Sequence, residues 1–111
     1  MADKRLFEIV KLLLEQTEAR KVQWEKSATK GAFLTSFAKY SVVMAGTSQM
    51  PHLFLYDEDG DVVEDLALAD TFTNGDVKEA LERLYILARR RALGTDEALD
   101  DILKSLRTGR T

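Results

Sequence analysis

The chain has 111 residues, of which 45% are hydrophobic and 32% charged, and its formal net charge is −3. These values predict a single packed domain over residues 1–111, because a chain of this length can bury only one core. The charges are mixed, so the chain as a whole does not have the basic field of a polyanion-binding protein. The absence of cysteine excludes disulfides, thiolate metal sites, iron–sulfur clusters and cysteine nucleophiles.

The N-terminal segment predicts a protein without a leader or a membrane anchor. Its apolar residues are interrupted by Glu8, Lys11 and Glu15, which is unlike the continuous apolar core of a signal peptide. No run approaches the roughly 20 apolar residues that a membrane span requires. We therefore expect a cytoplasmic location.

The first predicted element is a helix from the N-cap Asp3 to about Arg20. Apolar residues recur on one face at helical spacing: Leu6, Val10, Leu13 and Thr17. Ile9 and Leu12 widen this stripe, which predicts that the helix contacts two partners.

Three segments rich in aromatic and β-branched residues follow, at 32–37, 40–45 and 52–56, and they predict an antiparallel meander. Alternate side chains are assigned to the face that packs on helices: Phe33, Thr35, Phe37, Tyr40, Val42, Met44, His52, Phe54 and Tyr56. The opposite set is also apolar, which predicts that both sides of the sheet are at least partly covered: Leu34, Val43, Leu53 and Leu55.

Two further segments are candidate strands, and the predicted sheet has three or four strands in total. The turn at 57–60 ends in Asp-Gly, which supplies the positive φ of a tight hairpin, and Val62 restarts a strand after it. Alternation over 22–25 is typical of an edge strand or an extended linker.

A helix capped by Asn74 is predicted to run to about Leu93, with a core stripe of Val77, Leu81, Leu84 and Ala88. Gly94 ends it, and Thr95 caps a last helix. The predicted buried face of that helix is Leu99, Ile102, Leu103 and Leu106. The fold class is therefore α+β: an N-terminal helix, a three- to four-stranded antiparallel meander sheet and a C-terminal helical hairpin, with Arg107 to Thr111 as a frayed tail.

Several segments resemble a group of small bacterial proteins without an assigned function. They are 11–40, which includes Trp24 and the strand 33–37, and further 84–90, 92–94 and 100–103. The resemblance covers nearly the whole chain and implies the fold described above. It implies no catalytic residue, because none is assigned in that group.

The residues offer little catalytic chemistry. His52 is the only histidine, which excludes a multi-histidine metal site, and no nucleophile is identifiable to pair with it. No phosphate-loop, dinucleotide-binding, serine-hydrolase or zinc-protease motif occurs. We therefore predict that the protein is not an enzyme and needs no cofactor.

The acidic segment Asp57, Asp59 and Asp61 begins like a calcium-binding EF-hand loop, but the register fails. Gly60 precedes the third acidic residue, and Leu68 stands where the twelfth-position glutamate belongs. A solvated hairpin turn is predicted instead.

The helix that ends at Leu93 carries a candidate contact surface. Ile86 and Leu93 lie on its outer side, bordered by Arg89 and Arg90, which is the composition of a small protein contact. The last helix folding back over Ile86 and Leu93 is the alternative. Trp24 offers a similar choice between a core lid and a contact hot spot.

The sequence predicts a non-catalytic interaction or regulatory accessory module that binds a protein partner or a second copy. Its predicted partner-binding residues are Ile86, Arg89, Arg90, Leu93 and Trp24. Two alternatives stay open. One is a nucleic-acid-binding module using the cluster Arg89–Arg91, and the other is a small-ligand-binding domain or an enzyme with carboxylate chemistry, in which Tyr40 or Tyr56 lines a cleft.

Overall fold

A computed structural model of the chain describes residues 4–109. The elements are α1 (Lys4–Glu18), β1 (Glu25–Lys26), β2 (Phe33–Phe37), β3 (Tyr40–Gly46), β4 (Pro51–Tyr56), β5 (Val62–Ala67), a 3-10 turn (Leu68–Thr71), α2 (Gly75–Leu93) and α3 (Thr95–Arg107). The predicted α+β class, with an N-terminal helix, a meander sheet and two C-terminal helices, is confirmed. The sheet has five strands rather than three or four. None of the helices in the described residues is long and apolar enough to cross a membrane.

The five strands pair antiparallel in the order β1-β2-β3-β4-β5. The extra strand is β1, which pairs Glu25 with Leu34 and Lys26 with Phe33 at one edge. The turn between β4 and β5 is the predicted hairpin, and Gly60 adopts a φ of 85° in it. The alternation over 22–25 is also present, since Val22 and Trp24 are buried while their neighbours are exposed.

One hydrophobic core lies between α1, α2 and one face of the sheet. A row of paired side chains crosses this face: Phe33, Met44, Leu53 and Leu66. The predicted buried face of α1 is confirmed in full, and so is the core stripe of α2. Trp24 closes the core, and its Nε1 donates a hydrogen bond of 3.0 Å to Thr17 Oγ1.

The face assigned to β4 from the sequence is wrong. Register places Leu53 opposite Met44 and Leu55 opposite Val42, so these two leucines point to the helices. The other set of β4 side chains forms a stack on the outer face, with ring centroids 4.2 Å apart for His52 and Phe54. Since none of this set is fully buried, the covering layer expected on this side is not formed by the described residues.

The last helix projects from the domain. Gly94 ends α2 in the left-handed conformation, at φ 62° and ψ 40°, and α3 starts at the next residue. α3 has no buried residue, and the molecule measures 55 × 32 × 24 Å. The prediction of a buried face on α3 is therefore wrong. The predicted frayed tail begins at Arg107, the last residue of α3, and its end at residues 110 and 111 lies outside the described part.

Candidate interaction surface

The α3 stripe is the most exposed set of large apolar side chains on one element. It consists of Leu99, Ile102, Leu103 and Leu106, which are 48%, 55%, 46% and 65% exposed. Their spacing of three, one and three residues puts them on one face of the helix. None of the four side chains is buried against the core, so this face of α3 is accessible.

The direction of α3 is fixed at its first turn. Asp96 accepts a hydrogen bond from Arg90 Nη2, and Arg20 Nη2 lies 3.6 Å from the other oxygen of the same carboxylate. The hydrogen bond and charge of Arg90, with a smaller contribution from Arg20, hold the pKa of Asp96 below its usual value. An ionised Asp96 therefore links α3 to α2 and to the turn after α1 across the physiological pH range.

The outer side of α2 adds a smaller exposed patch. Ile86 is 47% exposed and Leu93 is 41% exposed, so the last helix does not cover them, and the alternative of a folded-back helix is wrong. Arg89 is exposed beside them, whereas Arg90 is engaged with Asp96. Three of the five predicted partner-binding residues thus lie together on the surface, and Arg90 has a structural partner.

Trp24 does not belong to this surface. It is 5% exposed and packs in the core, with its indole N–H bonded to a buried threonine. A side chain in this position stabilises the domain, and contact with a partner would require it to leave the core. Trp24 thus lies as a lid on the core, which is one of the two alternatives that the sequence left open.

The arginine cluster does not form one phosphate-binding face. Arg89 is exposed, Arg90 pairs with Asp96, and Arg91 turns inward, where its Nη1 is buried without a hydrogen-bond partner. Further along the same helix, Arg83 Nη2 lies 3.0 Å from Glu18. Two of these four arginines are therefore paired with carboxylates and a third turns inward, and this arrangement does not favour nucleic-acid binding.

The acidic and histidine candidates serve local structure. His52 Nε2 lies 2.7 Å from Asp65 Oδ2 at the sheet surface, as a cross-strand pair. Asp57, Asp59 and Asp61 bring their carboxylate oxygens within 4.8 Å of one another. However, Asp57 Oδ1 accepts the backbone N–H groups of Asp59 and Asp61, each at 3.0 Å, so this carboxylate holds the hairpin turn.

An open apolar groove of about 440 Å³ runs between α1 and the sheet. Its lining is Ile9, Leu12, Leu13, Gln16, Val22, Phe37, Tyr40, Val42, Leu55 and Val63. The wide apolar stripe of α1 was the sequence signal for it, since Ile9 and Leu12 stand at the groove and are 39% and 51% exposed. Tyr40 lies here as the ligand alternative expects, but no carboxylate is among these lining residues, and Tyr56 lies on the outer face of the sheet.

Comparisons with protein-family models, with curated proteins and with solved structures found no match. The function is therefore inferred from the surfaces described above. Three of them are apolar and accessible: the α3 stripe, the smaller patch of Ile86 and Leu93 on α2, and the groove beside α1.

Proposed function

We propose that this protein is a non-catalytic interaction module, acting in the bacterial cytoplasm, that binds a protein through the α3 stripe. The exposure of all four large apolar side chains on a projecting helix carries the proposal. Fully burying an exposed side chain of this kind contributes about 1.5–3 kcal/mol, and because each of the four is about half exposed, covering the stripe contributes roughly half of that per residue. Contiguous apolar patches on a protein surface mark interaction sites.

The way α3 is held also supports a docking element. A 13-residue helix is marginal in water by itself, and α3 has no core to stabilise it. Its first turn is nevertheless positioned by Arg90 and Arg20. An amphipathic helix that is presented in a set direction and stabilised when its apolar face is covered matches the helix-in-groove mode of recognition.

The patch of Ile86, Arg89 and Leu93 on α2 is the second, smaller part of the proposed binding region. Leu93 is the last residue of α2, so it stands one residue from the corner at Gly94. A charged side chain bordering exposed apolar ones is typical of the rim of a protein contact. Arg90 has a positioning role in this proposal, since it acts on α3 through Asp96.

Affinity capture with matched variants tests the proposed function. Tagged protein is used to retain partners from a lysate of its source cells, in parallel with Leu103→Asp and Thr108→Asp. Both variants add one negative charge in or beside α3, but only Leu103 belongs to the stripe, and Thr108 lies on the opposite side of the helix. A partner or a second copy that is lost with Leu103→Asp and retained with Thr108→Asp is the expected result.

Ile86→Asp separates the two parts of the surface. We expect it to weaken the same association less than Leu103→Asp does, because Ile86 lies outside the stripe. Equal association of all three variants and the unaltered chain would show that neither surface binds.

The groove beside α1 favours a second candidate function, the binding of an apolar ligand. Its lining is almost wholly apolar, which is typical of small-ligand sites, and its volume suits an aliphatic chain. A thermal-shift assay with palmitate tests this, because a ligand that binds only the folded state raises its apparent stability. Leu12→Glu puts a charge in the half-exposed wall and should remove the shift. An unchanged melting temperature at saturating palmitate would exclude this ligand class.

A further inference from the structure

The α3 stripe has a charge pattern that identifies its occupant. We infer that the occupant is a second copy of this chain, whose α3 pairs antiparallel with the first about a two-fold axis between Ile102 and Leu103. This inference rests on the proposed function, since it takes the stripe as the binding face. It adds the partner, the orientation and the register.

The apolar residues are symmetric about the middle of the helix. Counting from the point between Ile102 and Leu103, Leu99 and Leu106 stand at equal distances on either side. A two-fold axis at this point therefore sets Leu99 against Leu106 of the second copy. It also sets Ile102 against Leu103 of the second copy, so one patch covers itself, as an isologous interface requires.

The charges select the antiparallel orientation. The N-terminal half of α3 is acidic and the C-terminal half is basic, with the first turn carrying Asp96 and Glu97 and the last turn Lys104 and Arg107. In a parallel pair the acidic halves of both copies would lie side by side and repel. In an antiparallel pair each acidic half lies beside the basic half of the other copy, and the two helix dipoles also oppose each other favourably.

One ion pair is specified by position. Asp100 and Arg107 are seven residues apart, so they lie on the same flank of the stripe. Antiparallel helices bring these matching flanks together, which sets Asp100 beside Arg107 of the second copy, and the two-fold axis repeats the pair. The other flank carries the small residues Ala98 and Ser105, which allow close approach without a charge conflict.

The size of the contact sets the conditions of the test. One stripe of four side chains covers less than the about 800 Å² per partner of a standard stable interface. The dimer is therefore weak, with a dissociation constant on the order of micromolar or above. Mass must be measured over a concentration series by sedimentation equilibrium.

Charge reversal tests the orientation. Asp100→Arg and Arg107→Glu each replace two attractive pairs with two repulsive ones, and each should weaken the dimer about tenfold or more. The double variant restores both pairs with exchanged signs, so it should dimerise nearly as well as the unaltered chain.

Two controls keep the result specific. Leu103→Asp should be monomeric over the whole series, and Thr108→Asp, which adds the same charge just past the end of α3 on the side away from the stripe, should dimerise like the unaltered chain. Circular dichroism and thermal unfolding of every variant check that the domain is folded, which we expect because α3 contributes no buried residue to the core.

Each outcome assigns a separate failure. If Leu103→Asp abolishes the dimer but the double charge variant does not restore it, the antiparallel register would be wrong. A chain that is monomeric throughout, yet loses a captured protein with Leu103→Asp, would overturn the second copy as occupant and leave the proposed function intact. A monomer that captures nothing through the stripe would contradict both.

Discussion

The two C-terminal helices, α2 and α3, have the same kind of sequence and opposite environments. Both are amphipathic, both carry leucine-rich stripes at helical spacing, and only Gly94 separates them. α2 buries six residues, whereas α3 buries none. Periodicity shows that a helix has an apolar face, and it does not show whether that face is covered by the same chain.

The difference arises at the corner and in the sheet. α2 packs against α1 and strands β1 to β4, and the Tyr85 hydroxyl lies 3.2 Å from the carbonyl oxygens of both Gly31 and Gly46, where it can donate a hydrogen bond. α3 is turned away at Gly94 and tied by Asp96 to basic side chains of the domain. α2 is thus part of the hydrophobic core, whereas α3 lies at the edge of the domain with its apolar face exposed.

Hydrogen exchange should give the largest contrast between the two helices. The amides of α2 around Leu84 exchange only when the core opens. The free energy of this opening approaches the global free energy of unfolding, which is about 5–15 kcal/mol. Amides of α3 around Leu103 need only local fraying of a short helix at dilute concentration. We expect protection factors that differ by about a thousandfold or more. Equal protection in dilute protein would show that α3 is covered within one chain.

Raising the protein concentration sharpens this experiment. If two copies pair through the stripe, the protection of α3 rises with concentration while that of α2 stays constant. Leu103→Asp is the control, because it should remove the concentration dependence and leave α2 unaffected.

Truncation of one leucine on each helix should give the next largest effect. Leu84→Ala removes a side chain with no exposed surface and should lower the free energy of unfolding by about 2–5 kcal/mol. Leu103→Ala should change it by less than about 0.5 kcal/mol, because the side chain is 46% exposed and fills no space in the core. Urea unfolding at low protein concentration measures both values. A loss above 1 kcal/mol for Leu103→Ala would contradict the projecting helix.

Local signals in the sequence predicted much of the fold. The Asp-Gly turn, the Asn74 cap and the Gly94 stop each depend on a few neighbouring residues, and all three are present. The buried face of α1 was also predicted in full, because its four residues recur at helical spacing on one side.

Features that depend on distant contacts were not predictable in the same way. Both faces of β4 are apolar, so only its pairing with β3 decides that Leu53 points inward and Phe54 outward. The α3 stripe has the same sequence pattern as a buried stripe. The pattern does not show in which direction α3 leaves Gly94, so it does not show whether the stripe is covered. Only the additional apolar residues Ile9 and Leu12 indicated the groove. They line an open groove where the sequence predicted a second packing partner for α1.

Substitution at the corner should have an effect of intermediate size. Gly94→Ala puts a Cβ at a φ of 62°, and the nearest atom, Glu97 Oε2, is 3.6 Å away, so the cost is conformational rather than steric. We expect a loss of about 1 kcal/mol in the stability of the domain. Gly75→Ala, at the first residue of α2, is the matched control and should be neutral or slightly stabilising, because its φ is ordinary. A Gly94→Ala protein as stable as the control would indicate that the corner is not left-handed.

The ion pair at Asp96 should have the smallest effect on stability and a visible effect on orientation. Because Arg90 and Arg20 lower the pKa of this carboxyl, the pair is complete above the ordinary carboxyl pKa of about 4 and is lost as the pH falls through the lower folded value. The tie between α3 and the domain should thus be constant at neutral pH and loosen only in strong acid. The pair is exposed, so unfolding free energies should barely respond.

Carboxyl chemical shifts measured during an acid titration test this directly. The pKa of Asp96 should lie below the usual value of an aspartate carboxyl, because Arg90 and Arg20 stabilise its ionised form. Arg90→Gln should bring the pKa of Asp96 back toward its usual value, because it removes the largest contribution. If the pKa of Asp96 were already ordinary in the unaltered protein, α3 would not be tied at its first turn, and the contrast with α2 would reduce to one between a packed helix and a freely hinged one.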